Sequence, residues 1–424
     1  MAAIEPLRAL RYDLAITGGL QDVIAPPYDV IDAAGRAELA ARSPYNVVRI
    51  DLPEAAAGQD PYQSAAAELL SWRGEGAVVR DDHPALWALA QMYTGPDGRR
   101  RIRHGILARV RIEEYGAGRI RPHERTHPGP KEDRLRLTRA TRANLSPIFA
   151  LFTDPEGAAW EALASAPGVE PWAEATDADG TVNRLWRVED PEAIAEVQEV
   201  VRDSELLIAD GHHRYETARV YADEVGGDGP HRYVLMCLVA LEDPGLTVFP
   251  THRLVRGLTP DQRKALADAI ERNFDAEPLD DVKALEPAAA GDDGAVRIGY
   301  LDALSERPVM LTLKDPAIAA AALPDHAEPY RRLDTAVLEA VILKGALGMT
   351  DEDIDHLEGL GYARDFADAV RLVQSGDYDA AFFMGATPVH RIQEVAATGE
   401  SMPPKSTFFF PKVPTGLLFN DLAR

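Results

Sequence analysis

Cysteine occurs once in the 424 residues, at Cys237. A single thiol closes no intrachain disulfide and builds no zinc–thiolate cluster, so both frameworks are excluded. Positive charge is in short supply: 45 Lys and Arg stand against 69 Asp and Glu, a formal net charge of −24. That balance argues against a nucleic-acid partner, although a local basic pocket is compatible with it. Long apolar runs are missing too. Residues 233–241 are uninterruptedly apolar, well short of the roughly 20 residues that a membrane span needs. Glu5, Arg8 and Arg11 break up the N-terminal region, which shows no signal-peptide core. These absences lead to the expectation of a cytoplasmic protein acting on a small molecule, with no membrane or nucleic-acid partner.

Three signature loops are also absent. There is no Gly-x4-Gly-Lys-Ser/Thr phosphate loop, no Gly-x-Gly-x-x-Gly after a strand, and no Gly-x-Ser-x-Gly elbow. Standard nucleotide folds and serine hydrolases therefore lose weight.

What is present is an ordinary globular composition, 46% apolar, in a chain long enough for two or three domains. Residues 4–11 and 46–52 read as strands and 62–73 as a helix. Residues 86–94 and 101–112 read as a hairpin about Gly95-Pro96-Asp97-Gly98. Further on, 149–153, 183–188, 233–242, 246–255, 296–301, 309–314 and 378–384 read as strands. Residues 157–165, 191–201, 259–273, 333–347 and 363–373 read as helices. The expected fold class is α+β (mixed α/β). The expected division is an N-terminal α+β domain at 1–114, a core at 115–258 and a C-terminal α+β domain at 259–424.

The most informative stretch is 206–218, Leu-Leu-Ile-Ala-Asp-Gly-His-His-Arg-Tyr-Glu-Thr-Ala. Leu206, Leu207 and Ile208 suit a buried strand, and the residues from Tyr215 onward suit a helix. Gly211 lets the chain turn sharply between them. Amides at a helix start favour an anion. With His212, His213 and Arg214 added, the turn becomes a cradle for phosphate or carboxylate. Asp210, its one negative group, suits a metal ion, a hydroxyl or an ammonium.

A second stretch reads His123-Glu124-Arg125-Thr126-His127. It matches the zinc-protease pattern His-Glu-x-x-His, which requires both histidines on one helical face. Pro122 and Pro128 flank it and oppose a helix there, so the match is read as accidental. Residues 131–143 read as a helix carrying Lys131, Arg134, Arg136, Arg139 and Arg142, either a solvated face or a positive wall toward phosphates. Pro26 and Pro27 stiffen a loop that presents Tyr28 and Asp29, either as a ligand wall or as a packed turn. Pro250, within an expected strand, marks an edge or bulge that aims His252 and Arg253. Lys405, Ser406 and Thr407 precede an aromatic strand, either as a solvated loop or as phosphate contacts.

At 210–214 the sequence resembles the ParB/sulfiredoxin-like superfamily, whose members bind nucleotide phosphates on such a turn. Asp-Gly-His-His-Arg looks most like its free serine kinases. They also carry a His-Glu pair and then an Arg-Leu on a helix, matched in order by His123-Glu124 and Arg134-Leu135. Residues 150–200 intervene here, a longer spacing than in those small kinases. Over its full length the chain resembles the family of domain of unknown function 1015, through residues 25–31, 123–134, 144–149, 208–218, 250–253 and 405–412. The resemblance implies a ParB/sulfiredoxin-like central core flanked by N- and C-terminal α+β regions. It also implies a kinase that makes O-phosphoserine from free L-serine, with ATP, ADP or pyrophosphate as donor.

Such chemistry needs a base near the hydroxyl, cations around the phosphates, and usually Mg²⁺. Glu124 is the expected base, and Asp210 the ligand of Mg²⁺ or of the acceptor hydroxyl. Gly211, His212, His213 and Arg214 would hold the donor phosphates. His123, Lys131, Arg134, His252, Arg253 and Lys405 are further candidate phosphate or substrate binders. Two other readings stand beside this one. One is a nucleotide sensor that binds without transfer. The other is a metal-dependent hydrolase using His123, His127, Asp210, His212 and His213.

Overall fold

The computed structural model describes residues 3–55, 58–95, 98–115, 119–123, 128–165, 170–287 and 294–423. Two compact units emerge: Met1–Pro122 with Thr126–Thr247 and Pro411–Arg424, and His123–Arg125 with Val248–Phe410. This partition differs from the expected three-way division, because strands on both sides of residue 114 enter one sheet.

The first unit is built on a nine-stranded mixed sheet. Its strands are β1 (Ile4–Glu5), β2 (Leu86–Thr94), β3 (Arg100–Arg111), β4 (Ile120–Arg121), β5 (Ile148–Phe152), β6 (Ala173–Thr176), β7 (Val182–Val188), β8 (Leu206–Asp210) and β9 (Tyr233–Ala240). The order is β4-β8-β5-β9-β3-β2-β7-β6, with β1 added against β3. β4 runs parallel to β8 and β5 parallel to β9; the other pairs are antiparallel.

Alternation sorts the two faces. Ile106, Ala108, Ile148, Ala150, Phe152, Ile208, Met236 and Leu238 fall on one face. They pack in one core with Ala159, Leu163, Val197, Val201, Tyr215 and Ala218. Those come from three helices: α1 (Ala158–Ser165), α2 (Pro191–Arg202) and α3 (His212–Val225). The opposite face carries the polar row Asn183, Gln91 and Arg103, cross-strand neighbours on β7, β2 and β3.

The second unit has a six-stranded sheet in which all paired strands are antiparallel. Apolar clusters centred on Leu338, Ile342 and Phe382 and on Leu254, Ala369 and Phe383 cover its two faces. Both units are mixed α/β, as the sequence indicates. Among the described residues no helix is long and apolar enough to cross a membrane.

Several local expectations are corrected. Residues 46–52 are not a strand; Val48–Asp51 is a short helix. Asn46 turns the chain there, its Oδ1 accepting from Val48 N at 3.0 Å and its Nδ2 donating to the Asp22 and Ile24 carbonyls. Residues 246–255 split at Pro250 into the strands Thr247–Phe249 and His252–Val255. The expected helix at 333–347 becomes Asp334–Val337 followed by a π-helix, Leu338–Lys344. The first residue of the expected helix at 363–373 closes a strand, Leu360–Ala363. The helix itself is Phe366–Gln374, capped by Asp365.

Candidate anion site at the strand–helix turn

β8 ends on Asp210, and α3 begins one residue later. Gly211 between them has φ 98°, left-handed backbone that favours glycine. A Cβ at this position would lie 2.8 Å from Arg214 Nε. Only glycine therefore lets the Arg214 side chain fold back over the turn. Gly211 brings no capping side chain, so the first amides of α3 face outward at the helix start.

Arg214 is tied down from three directions. Nη2 donates to Asp210 Oδ2 at 2.5 Å, and Nη1 donates to the Pro147 carbonyl and to Ser146 Oγ. Thr415 Oγ1 donates in turn to Ser146 Oγ at 3.1 Å. Among the described residues Arg214 Nε has no partner. The other carboxylate oxygen of Asp210, Oδ1, accepts from Lys412 Nζ. Burial opposes the charged form of Asp210. The Lys412 ammonium and the Arg214 guanidinium outweigh it and hold the carboxyl well below the usual carboxylate range. His212 is buried and His213 partly so at the head of α3.

A second cation shares a cleft with Arg214. Arg134 lies on α4 (Pro128–Thr141), and Asp51, Ser146 and Arg214 also form the cleft wall. Arg134 Nη1 meets Asp51 Oδ1 at 3.0 Å, and Nη2 meets Asp133 Oδ2 at 2.6 Å. Its guanidinium carbon stands 4.4 Å from the centre of the Tyr28 ring. Burial raises the Asp51 pKa, opposed by Arg134 and Arg214. Burial also pushes the Tyr28 phenol up to about 12. Lys131 sits partly buried on α4.

The structure thus gathers Asp210, Gly211, His212, His213, Arg214 and Arg134 in the first unit. Asp29, within the short 3-10 helix Tyr28–Val30, is exposed. Four other candidates belong to the second unit. His123 is buried, its Nε2 at 2.8 Å from Thr407 Oγ1 and its ring edge-on to Phe409. His252 is buried beside Phe366 and Phe383, and its Nδ1 accepts from Met384 N at 3.2 Å. Burial, then Arg253, lowers its pKa to about 4. Arg253 donates to the carbonyls of Thr251 and Pro404. Lys405 is exposed, on left-handed backbone at φ 59°. Glu124 and His127 lie outside the described residues, as do Arg125 and Thr126.

The expected Mg²⁺ ligand role of Asp210 does not fit this arrangement. Each oxygen of Asp210 already faces a cation, and a divalent ion on either would stand against both. Among the described residues no group of three or more His, Cys, Asp or Glu side chains is placed to hold a metal ion.

Sequence reasoning missed Lys412, Asp51 and Ser146. The signal for Lys412 is its place just beyond the aromatic run 408–410, on the far side from the expected Lys405.

The family described as "Protein of unknown function (DUF1015)" matches residues 4–336. The chain belongs to that family. No curated protein matches it. Among solved structures, a conserved hypothetical protein from Pyrococcus furiosus is 17% identical. It covers 70% of this chain and 90% of its own, with a TM-score of 0.36. A free serine kinase in complex with AMP is 13% identical over 70% of this chain and 89% of its own, at a TM-score of 0.36. SbnI from Staphylococcus aureus, with a C-terminal truncation, is 11% identical over 73% and 87%, at 0.34. Likenesses of this size bear on neither ligand nor reaction.

Proposed function

We propose that this DUF1015 protein is a small-molecule kinase that phosphorylates the hydroxyl of free L-serine. The observation that carries the reading is that Arg214, at a helix start, shares Asp210 with Lys412 and shares a cleft with Arg134, in a chain of net charge −24. Cations concentrated against that overall field, with helix-start amides beside them, suit phosphate. Asp210 and Asp51 hold the guanidinium groups in place before any ligand arrives, which lowers the ordering cost of binding.

In the proposed reaction the serine hydroxyl oxygen attacks the terminal phosphorus of ATP, ADP or pyrophosphate. The bond from that phosphorus to the bridging oxygen breaks, and the shortened phosphate leaves with the bonding electron pair. Glu124 takes the hydroxyl proton. His212, His213 and Arg214 hold the donor, with Lys131 and Arg134 on the flank. Mg²⁺ accompanying the donor would neutralise phosphate charge.

One observation favours the sensor reading. All three carboxylates of the described cluster, Asp210, Asp51 and Asp133, are already engaged by cations, which suits binding without proton abstraction. The deciding experiment incubates the full chain with Mg²⁺, each donor, and a panel of amino acids and polyols, and weighs the products. A mass gain of one phosphoryl group on serine supports the kinase. Donor binding with no phosphorylated acceptor leaves the sensor.

A further inference from the structure

The large sheet of the first unit holds a cation that no carboxylate meets among the described residues. Arg103, on β3, is wholly buried. Its Nη2 donates to Gln91 Oε1, directly across the β2–β3 pair. Its guanidinium carbon lies 4.4 Å from the centre of the Phe149 ring. Among the described residues Nε and Nη1 have no hydrogen-bond partner, and no acid reaches ion-pair distance. The contrast with Arg134 and Arg214 is direct, since each of those has a carboxylate in contact.

A buried guanidinium with idle donors destabilises the fold that contains it. Burial lowers its pKa only to about 10, so it stays charged at neutral pH. Packing alone would be better served by an apolar side chain of the same length. Its position supplies a reason for the charge. Phe149, under the guanidinium, is the cross-strand partner of Asp210. Gln91, its hydrogen-bond acceptor, donates through Nε2 to the Lys412 carbonyl at 3.1 Å. Arg103 is therefore one residue removed from each member of the Asp210–Lys412 pair, through Phe149 on one side and Gln91 on the other.

We propose that Arg103 takes the second anionic group of a ligand whose first group sits at the 211–214 turn. The ligand class is a diphosphate, free or nucleoside-linked, rather than a single phosphate. The inference rests on the proposed anion site at the turn and adds a second subsite to it. Because Arg103 is wholly buried, the anion reaches Nε and Nη1 only as neighbouring side chains give way.

The test is calorimetric titration of the full chain with pyrophosphate and with orthophosphate, beside thermal melting without ligand. Arg103→Met should melt within about 3 °C of wild type, or above it. Its pyrophosphate affinity should fall about 10–100-fold while orthophosphate affinity stays unchanged. Arg103→Lys, which keeps the charge but loses the fork, should lie between. Unchanged pyrophosphate affinity in Arg103→Met overturns the proposal. So does an unfolded Arg103→Met together with a fully binding Arg103→Lys, since that marks a structural cation. Wild type that binds orthophosphate as tightly as pyrophosphate retains the turn site and loses the second subsite. Wild type that binds neither anion removes the proposed function as well.

Discussion

The ammonium of Lys412 and the carboxylate of Asp210, 202 positions apart in sequence, are direct hydrogen-bond partners. Asp210 is thereby clamped between a lysine and an arginine. Its folded pKa lies below the unfolded value, so the pair's stabilisation is full above the unfolded pKa and is lost as pH falls through the folded one. Lys412→Met should cost about 1.5–3 kcal/mol at pH 7. The gap to wild type should begin to close as pH drops below about 4. Urea titrations at pH 7 and pH 3 measure both; a gap that does not narrow speaks against the pairing.

Arg134 and Asp51 form a buried pair, each side chain less than a tenth exposed. Removing the cation alone strands a buried carboxylate. Arg134→Met should therefore destabilise by about 3–5 kcal/mol. Asp51→Asn in the same chain should recover much of that loss, because the one carboxylate left behind, Asp133, is half-exposed. A double-mutant cycle by chemical denaturation gives the coupling, and strict additivity of the two changes would contradict it.

Asp334, in the second unit, titrates in the opposite sense. Burial raises its pKa to about 6, opposed by Arg253 and by the amides of Thr335 and Gly385. The folded state binds this proton more tightly than the unfolded chain, so wild type loses stability as pH rises from about 4 to 6. Asp334→Asn has no such proton. Its stability relative to wild type should improve across that window by on the order of 2 kcal/mol and stay flat above it. Denaturation midpoints at pH 4 and pH 7.5 decide the matter.

Glu124→Gln addresses the proposed chemistry. Glutamine keeps the shape but cannot take a proton. Turnover with serine should fall about 10²–10⁴-fold, with melting temperature and donor affinity retained. Serine phosphorylation at the wild-type rate would move the base elsewhere.

Much of this was legible in the sequence, for identifiable reasons. The turn at Asp210–Arg214 was readable because strand, glycine and helix follow each other locally, and period and turn chemistry are local signals. The basic helix was readable likewise, starting within three residues of its expected position. Asp51 was not. It closes the run Asn46-Val47-Val48-Arg49-Ile50, whose β-branched residues imitate a strand, and the Asn46 cap that bends it into a helix depends on partners 22 and 24 residues away. Arg103 was hidden within a correctly expected hairpin, because alternation says which face a residue takes but not what awaits it there. Lys412 required knowing that the chain comes back to its first unit at the end.

That return has a consequence for biosynthesis. Residues 411–424 complete the first unit: Leu10 bridges to Phe419, Ala25 to Thr415, and Asn420–Asp421 pairs with Ala143–Asn144. A growing chain emerges in order, so the first unit lacks these strands, and Asp210 its lysine, until all of residues 248–410 have left the ribosome. A premature stop anywhere in the second unit would therefore also remove residues 411–424, and with them Lys412, from the first.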